Sequence, residues 1–273
     1  MPDTNCDDAW PSKPYWWCSC CLLVGSLLFQ GCTTVAIQPA QAVDHQKSRD
    51  ILAALKLKEA SIQNLKGLFH ASITGSILPI SKTIPGVVFY TRPNSIRLKG
   101  LTPVGGTFFQ FIREDDIYRL MMPASGRFTT GNIQELGRTG DIGRVVSLSL
   151  RAMNVVLGKI QGLTLDRLQV YEDERGFRLD IPTISDEEHQ DGDVSLMRLW
   201  VDKQRYDILY VEYLDQEEEM LMSIACQDFR RFSVLINSSE STIHLPFQIR
   251  AEDDRLSGSV TLTFQELAVN TGS

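Results

Sequence analysis

The chain has 273 residues, 43% apolar and 22% charged, with a formal net charge of −7 and a mean hydropathy of −0.10. These proportions are ordinary for a globular protein of roughly one large domain with a substantial core. The acidic excess is scattered, with no basic stripe interleaved with aromatics and no polybasic segment, which removes any electrostatic case for nucleic acid or for an anionic lipid surface.

In chain order the first feature is an apolar run from Tyr15 to Phe29 that closes on Gln30-Gly31-Cys32. It is too short and too interrupted to cross about 30 Å of hydrocarbon, and a signal h-region fits it better than a transmembrane helix. The segment Cys21-Leu22-Leu23-Val24-Gly25-Ser26-Leu27-Leu28-Phe29-Gln30-Gly31-Cys32 resembles the lipobox of bacterial lipoprotein signal peptides. That resemblance implies that residues 1–31 are a signal peptide removed on maturation and that Cys32 becomes the lipidated first residue. Phe29 and Gln30 depart from the Leu and small residue usual there, and Lys13 is the only basic residue of the n-region. An ordinary secretory signal or a buried apolar run is the alternative. Five of the six cysteines lie at or before Cys32, leaving Cys226 alone, without an internal disulfide partner and most simply a small buried hydrophobe.

Residues 32–43 carry Pro39 and no helical periodicity, and they read as a lipidated tether to a domain spanning 44–269. Asp44 or Ser48 is placed to cap a helix that runs to Lys66 and stops at Gly67, with Ile51, Leu55, Ile62 and Leu65 as its apolar stripe. The period then switches to two. Strands are expected at Leu68 to Ile77, Val87 to Thr91, Ile96 to Leu101, Thr107 to Arg113 and Ile117 to Met122, separated by turns. A second helix fits Asp141 to Gly158, with Asp141 as its cap and Val145, Leu148, Ala152, Val155 and Val156 on one side. Strands resume at Arg167 to Tyr171, Phe177 to Ile181, Leu196 to Val201, Ile208 to Tyr213, Met220 to Phe229, Phe247 to Ala251 and Val260 to Phe264. Two helices on a long antiparallel meander is an α+β architecture whose concave face has room for something apolar.

Catalytic and metal signatures are lacking. The four histidines are scattered, and Asp186-Glu187-Glu188-His189 with Asp191 and Asp193 lacks Ca²⁺-loop spacing and reads as a solvated loop. There is no Gly-x-Ser-x-Gly, no Gly-x-Gly-x-x-Gly and no phosphate loop. The expectation is a protein that is not an enzyme and needs no metal or cofactor.

Five short motifs carry a second resemblance. Leu68-Phe69-His70-Ala71-Ser72 after a helix, and Arg92-Pro93-Asn94 after the next strand, resemble the lipoprotein carrier LolA. Thr102-Pro103-Val104-Gly105-Gly106 looks like the membrane-facing loop of the outer-membrane receptor LolB, itself a lipoprotein. Leu199-Trp200-Val201-Asp202 and Leu245-Pro246 complete the pattern. The resemblance implies a strongly curved antiparallel sheet, an incomplete β-barrel, covered by the N-terminal helix and an inserted lid helix. It implies a monomer hung from the bacterial outer membrane by its N-terminal lipid and facing the periplasm, whose cavity takes acyl chains of lipoproteins or other lipids. A soluble periplasmic carrier is a further implied partner.

By strand parity the cavity lining is expected to include Phe89, Leu98, Phe109, Phe111, Leu120, Met122 and Trp200, although a slip of one residue would invert any of these. The resemblance carries over a gate role for Arg92, holding a lid helix by its backbone, and a membrane-facing role for Val104. Leu78 and Ile80, in a second apolar loop with Pro79, are candidates for the same contact. A lipid-anchored module for other lipids, or a structural envelope lipoprotein with a filled interior, are the competing readings.

Overall fold

Among the described residues, fourteen strands pair into one curved, open antiparallel sheet. The computed structural model describes residues 41–75, 82–160, 162–183, 194–236, 239–255 and 257–271. In chain order the strands are β1 (Gln41–Ala42), β2 (Asn64–Gly75), β3 (Lys82–Thr91), β4 (Ser95–Leu101), β5 (Thr107–Glu114), β6 (Ile117–Met122), β7 (Arg127–Asn132), β8 (Gln169–Glu172), β9 (Phe177–Pro182), β10 (Leu196–Val201), β11 (Ile208–Leu214), β12 (Met220–Ile236), β13 (Ser239–Asp253) and β14 (Gly258–Val269). Helix α1 (His45–Ser61) joins β1 to β2, and helix α2 (Asp141–Val156) lies between β7 and β8. No helix among the described residues is long and apolar enough to cross a membrane.

The spatial order is β1-β8-β9-β10-β11-β12-β13-β14-β2-β3-β4-β5-β6-β7, two meanders joined where β14 pairs with β2. Consequently β7 is one edge and β8 lies beside the other, and the chain between them must cross the sheet. That crossing carries α2, which packs on β13 and β14 in the middle of the order. Position explains composition. Ten of the sixteen α2 residues are buried, because a helix lying across a sheet is covered on most sides.

Inward residues alternate as a half-buried sheet requires: Leu65, Phe69, Ala71 and Ile73 in β2; Met197, Leu199 and Val201 in β10; Val260, Leu262 and Phe264 in β14. This alternation corrects the first helix. It ends at Ser61 rather than Lys66, because Leu65 and Gly67 are already in register with Val269 and Leu267 of β14. Gly67 is not a helix stop but a close approach: a Cβ there would stand 2.7 Å from Leu267 Cδ2. Asp44 is the true cap, accepting from Lys47 N–H at 2.7 Å. Gly140, not Asp141, occupies the cap position of α2, and Asp141 sits in the first turn, where its charge suits the helix dipole.

Other boundaries move outward. Gln41 and Ala42 of the expected tether pair with β8, and Val43 N–H donates to Val170 O at 2.9 Å. The sequence reading missed β7 and the following 3₁₀ turn, Ile133–Arg138. It also shortened β12 and β13, which pair with each other from Met222↔Asp253 to Ile236↔Ser239. Beyond the reach of their outer neighbours they form a two-stranded ribbon, whose Val234, Ile243 and Leu245 turn into the core. Cys226 is buried in β12, and burial pushes its thiol up to about 12.

Candidate functional site

Four of the expected lining residues are buried on the inner face of the sheet. Leu98, Phe111 and Leu120 lie directly opposite one another across β4, β5 and β6, and all are buried. Phe111 stacks on Tyr118 with centroids 6.2 Å apart. Phe109 is buried beside them, opposite Gly100, where a Cβ would lie only 2.4 Å from the Phe109 ring. Met122, at the end of β6, is half-buried against the core.

Two expected lining residues face the other way. Phe89 lies between buried Val88 and Tyr90 and is 40% exposed, with Lys66 Nζ 5.6 Å over its ring. Trp200 lies between buried Leu199 and Val201, half-buried and tilted against Tyr210 at 5.5 Å. Both errors are the one-residue parity slip that strands are prone to. In their place the inner face has Val88, Tyr90, Leu199 and Val201, together with an aromatic line not anticipated as lining: Phe69 to Phe264 at 6.0 Å and Phe264 to Phe247 at 6.4 Å. The alternation of β14 was the available signal for that line. Onto this face α2 presses Val145, Val146, Leu148, Leu150, Met153, Val155 and Val156, all buried in the same core.

The turn Arg92-Pro93-Asn94 ties down the ends of both helices. Arg92 Nη1 donates to the carbonyl of Glu59, in the last turn of α1, at 3.1 Å. Lys159, just past α2, donates to Pro93 O and, at 2.9 Å, to Asn94 Oδ1, with its ammonium 4.9 Å over the Tyr90 ring. Tyr90 OH donates to the same Pro93 carbonyl at 3.1 Å. Burial, then the Arg113 and Arg92 charges, hold the Lys159 ammonium below its ordinary pKa, while Glu59 opposes them.

Helix α1 has further anchors. Lys58 Nζ meets Asp207 Oδ1 at 2.8 Å, with the Asp207 side chain only 1% exposed and Arg205 Nε 3.3 Å from its other oxygen. Lys47 Nζ donates to Tyr206 OH at 3.0 Å, and Asn270 Nδ2 donates to Ser61 O at 2.6 Å. Thus α1 is pinned by buried charge, and just past α2 the Lys159 side chain supplies two bonds to the turn.

Val104 stands 94% exposed at the tip of the β4–β5 turn. Gly105 beside it adopts φ +86°, and Gly105 N–H donates to Thr102 O at 2.9 Å. Cys32, Leu78, Ile80 and the acidic loop around Asp186 lie outside the described residues. Among the described residues no three His, Cys, Asp or Glu side chains come together as a metal set.

No protein-family model and no curated relative matches the chain. Solved structures do. A domain of Vibrio parahaemolyticus described as an outer-membrane lipoprotein-sorting protein superposes with a TM-score of 0.56 at 13% identity, covering 84% of this chain and 95% of that one. A DUF1329 family protein of Desulfovibrio piger superposes with a TM-score of 0.56 at 12% identity, covering 84% and 94%. A LolA superfamily protein of Nitrosomonas europaea aligns at 10% identity over 81% and 94%, with a TM-score of 0.48. At these identities the likeness concerns the backbone alone, and in fold this chain is similar to the lipoprotein-sorting domain and the DUF1329 protein.

Proposed function

We propose that this chain is a lipid-anchored envelope lipoprotein that binds acyl chains between α2 and the inner face of its sheet, receiving or inserting lipoproteins at the outer membrane in the manner of LolB. Cys32 supplies the anchor, α2 is the lid, the Arg92 turn is its latch, and Val104 is the tip that meets the bilayer. The observation that carries this reading is the helix α2, which lays an apolar face across an apolar sheet face and is tied just past its end by the two bonds of Lys159 to the Arg92-Pro93-Asn94 turn. The fold shared with a lipoprotein-sorting domain supports it.

Magnitudes favour exchange of α2 for lipid. The seven larger apolar side chains that α2 buries, leaving out Ala152, contribute about 1.5–3 kcal/mol each, roughly 10–20 kcal/mol in all. A sixteen-carbon acyl chain, at about 0.8 kcal/mol per CH₂, recovers roughly 12 kcal/mol. One chain is therefore comparable to the helix, and the two or three chains of a lipoprotein exceed it. No covalent step is needed.

Mass spectrometry of the protein extracted from membranes tests both halves of the proposal. Lipid on Cys32 and a co-purifying lipoprotein or lipid are expected, and Cys32→Ala is expected to abolish maturation and membrane retention. An unchanged mature mass with retention intact would sink the anchor. The depth to which α2 fills the sheet face favours a second reading, a structural envelope lipoprotein. Extraction with no ligand, and no acyl binding in solution, would establish that one instead.

A further inference from the structure

The outer face of one half of the sheet carries a charge pattern that linear order hides. Each of β2 to β7 holds at least one lysine or arginine, and the six strands together hold a single acid, Glu114, in a chain whose net charge is −7. Pairing sets the outward cations in two adjacent rows across these strands. One row runs Lys66, Phe89, Arg97, Ile112, Arg119 and Thr130, each directly opposite the next. The row beside it, two residues along every strand, runs Leu68, Val87, Lys99, Gln110, Met121 and Phe128. None of these side chains is buried, whereas their neighbours along the strands, Val88, Leu98, Phe111 and Leu120, fill the inner face. Phe89, Met121 and Phe128 are 40%, 39% and 62% exposed. The acids of these strands and of neighbouring β14 stand at the margins: Glu266 opposite Leu68, and Glu114, 3.8 Å from Arg119 and followed by Asp115 and Asp116 in the next turn. Among the described residues no ion pair engages Lys66, Arg97 or Lys99.

Long basic side chains lay their stems along apolar surface and hold their charges outward, and exposed aromatics beside them suit the boundary between headgroups and acyl chains. We infer that the outer face of β2 to β7 rests on an anionic lipid bilayer, its cations meeting lipid phosphates while Phe89, Met121 and Phe128 enter the headgroup boundary. Charge complementarity names the occupant. On an acidic chain this is the face that an anionic surface attracts, at about fivefold in affinity per basic side chain. Continuity supports it: Leu101 and Thr107, next along β4 and β5, open the turn that carries Val104, 94% exposed. This overturns the sequence-based exclusion of an anionic lipid surface. Lys66 comes from β2, Arg97 and Lys99 from β4 and Arg119 from β6, and only strand pairing gathers them. The inference stands apart from acyl binding under α2, because it uses the opposite side of the sheet.

Acetylation of lysines in the full chain, read by peptide mass mapping, tests the face against vesicles of phosphatidylcholine alone and with added phosphatidylglycerol. With phosphatidylglycerol present, labelling of Lys66 and Lys99 should slow about fivefold or more, while Lys203, paired with Glu172 in the other half of the sheet, keeps its rate. Raising the salt should restore labelling, since attraction between exposed charges is screened. Arg97→Gln with Arg119→Gln, both at exposed positions, should remove most of the slowing. Phe128→Ser leaves the charge unchanged and should weaken the slowing in the same direction, which keeps the test valid if the double variant does not fold. Arg250→Gln, beside Glu252 on β13, should leave it as in wild type. Equal labelling on both kinds of vesicle, or slowing that survives in the charge and Phe128 variants, would overturn the proposal. Slowing by polyglutamate but by neither vesicle would also overturn it and assign the face to an acidic protein.

Discussion

Lys159→Met removes the bonds to Pro93 and Asn94 while keeping an unbranched stem over the Tyr90 ring. A hydrogen bond from a charged donor contributes about 1.5–3 kcal/mol when shielded, and about 1 kcal/mol or less where water competes. Lys159 is half-buried, and its depressed pKa shows that part of the gain is already offset by burial and by Arg113. A net loss of about 1 kcal/mol from the closed state is expected, raising the open fraction of α2 about fivefold. Apparent affinity scales with the fraction of competent molecules, so a fluorescent fatty-acid probe should bind about fivefold more tightly. Arg92→Gln breaks an exposed bond to the Glu59 carbonyl of α1, not to α2, so it should change probe affinity less than Lys159→Met does. The same loss should lower Tm by about 2–4 °C for a domain of this size. If Tm falls but probe affinity is unchanged or weaker, the turn is a structural clasp and the gate reasoning is refuted.

The remaining expectations concern pH, the buried thiol and the exposed loop. Because the folded-state pKa of Lys159 lies below 10.5, the folded protein holds fewer protons there than the unfolded chain, so this residue makes stability rise with pH in the window just under 10.5. Denaturant melts at pH 9 and pH 10.5 should show that rise diminished in Lys159→Met relative to wild type; identical pH profiles would contradict it. Cys226, raised to about 12, should resist iodoacetamide at pH 8.5 in the native state and react once urea unfolds the chain, as peptide mass mapping would record. Its thiol stays protonated in the fold between pH 9 and about 12, so its contribution to stability falls as pH rises through that window. Val104→Glu should leave Tm and probe binding near wild type but reduce delivery of cargo to liposomes, since a charge entering lipid costs several kcal/mol, while Val104→Leu should match or exceed wild type. Unfolding by Val104→Glu would contradict the loop's exposure.

Local patterns carried much of this fold. The boundaries Ile117 to Met122 and Leu196 to Val201 coincide with β6 and β10, because their neighbours are turn-forming and their alternation is clean. Arg92, singled out by its motif alone, does bond to the backbone of a helix, the N-terminal α1. The inner ends of β12 and β13 were illegible because Arg230, Arg231 and Ser233 interrupt the apolar run, while the buried positions are widely spaced at Val234, Ile243 and Leu245. Phe89 and Trp200 were misassigned for a physical reason: a large aromatic is a good strand residue on either face, and only the register of its neighbours decides which. The crossing of α2 over the sheet could not be read locally at all, since it follows from β14 pairing with β2, residues about 190 positions apart.

Exchange of α2 for an acyl chain is the central claim, and hydrogen exchange on α2 tests it most directly. With palmitate added, the amides of residues 145–156 should lose protection while those of β13 and β14, on which α2 packs, keep theirs. Protection in α2 that stays the same or rises with saturating palmitate would mean that the helix is fixed core and that lipid does not enter beneath it.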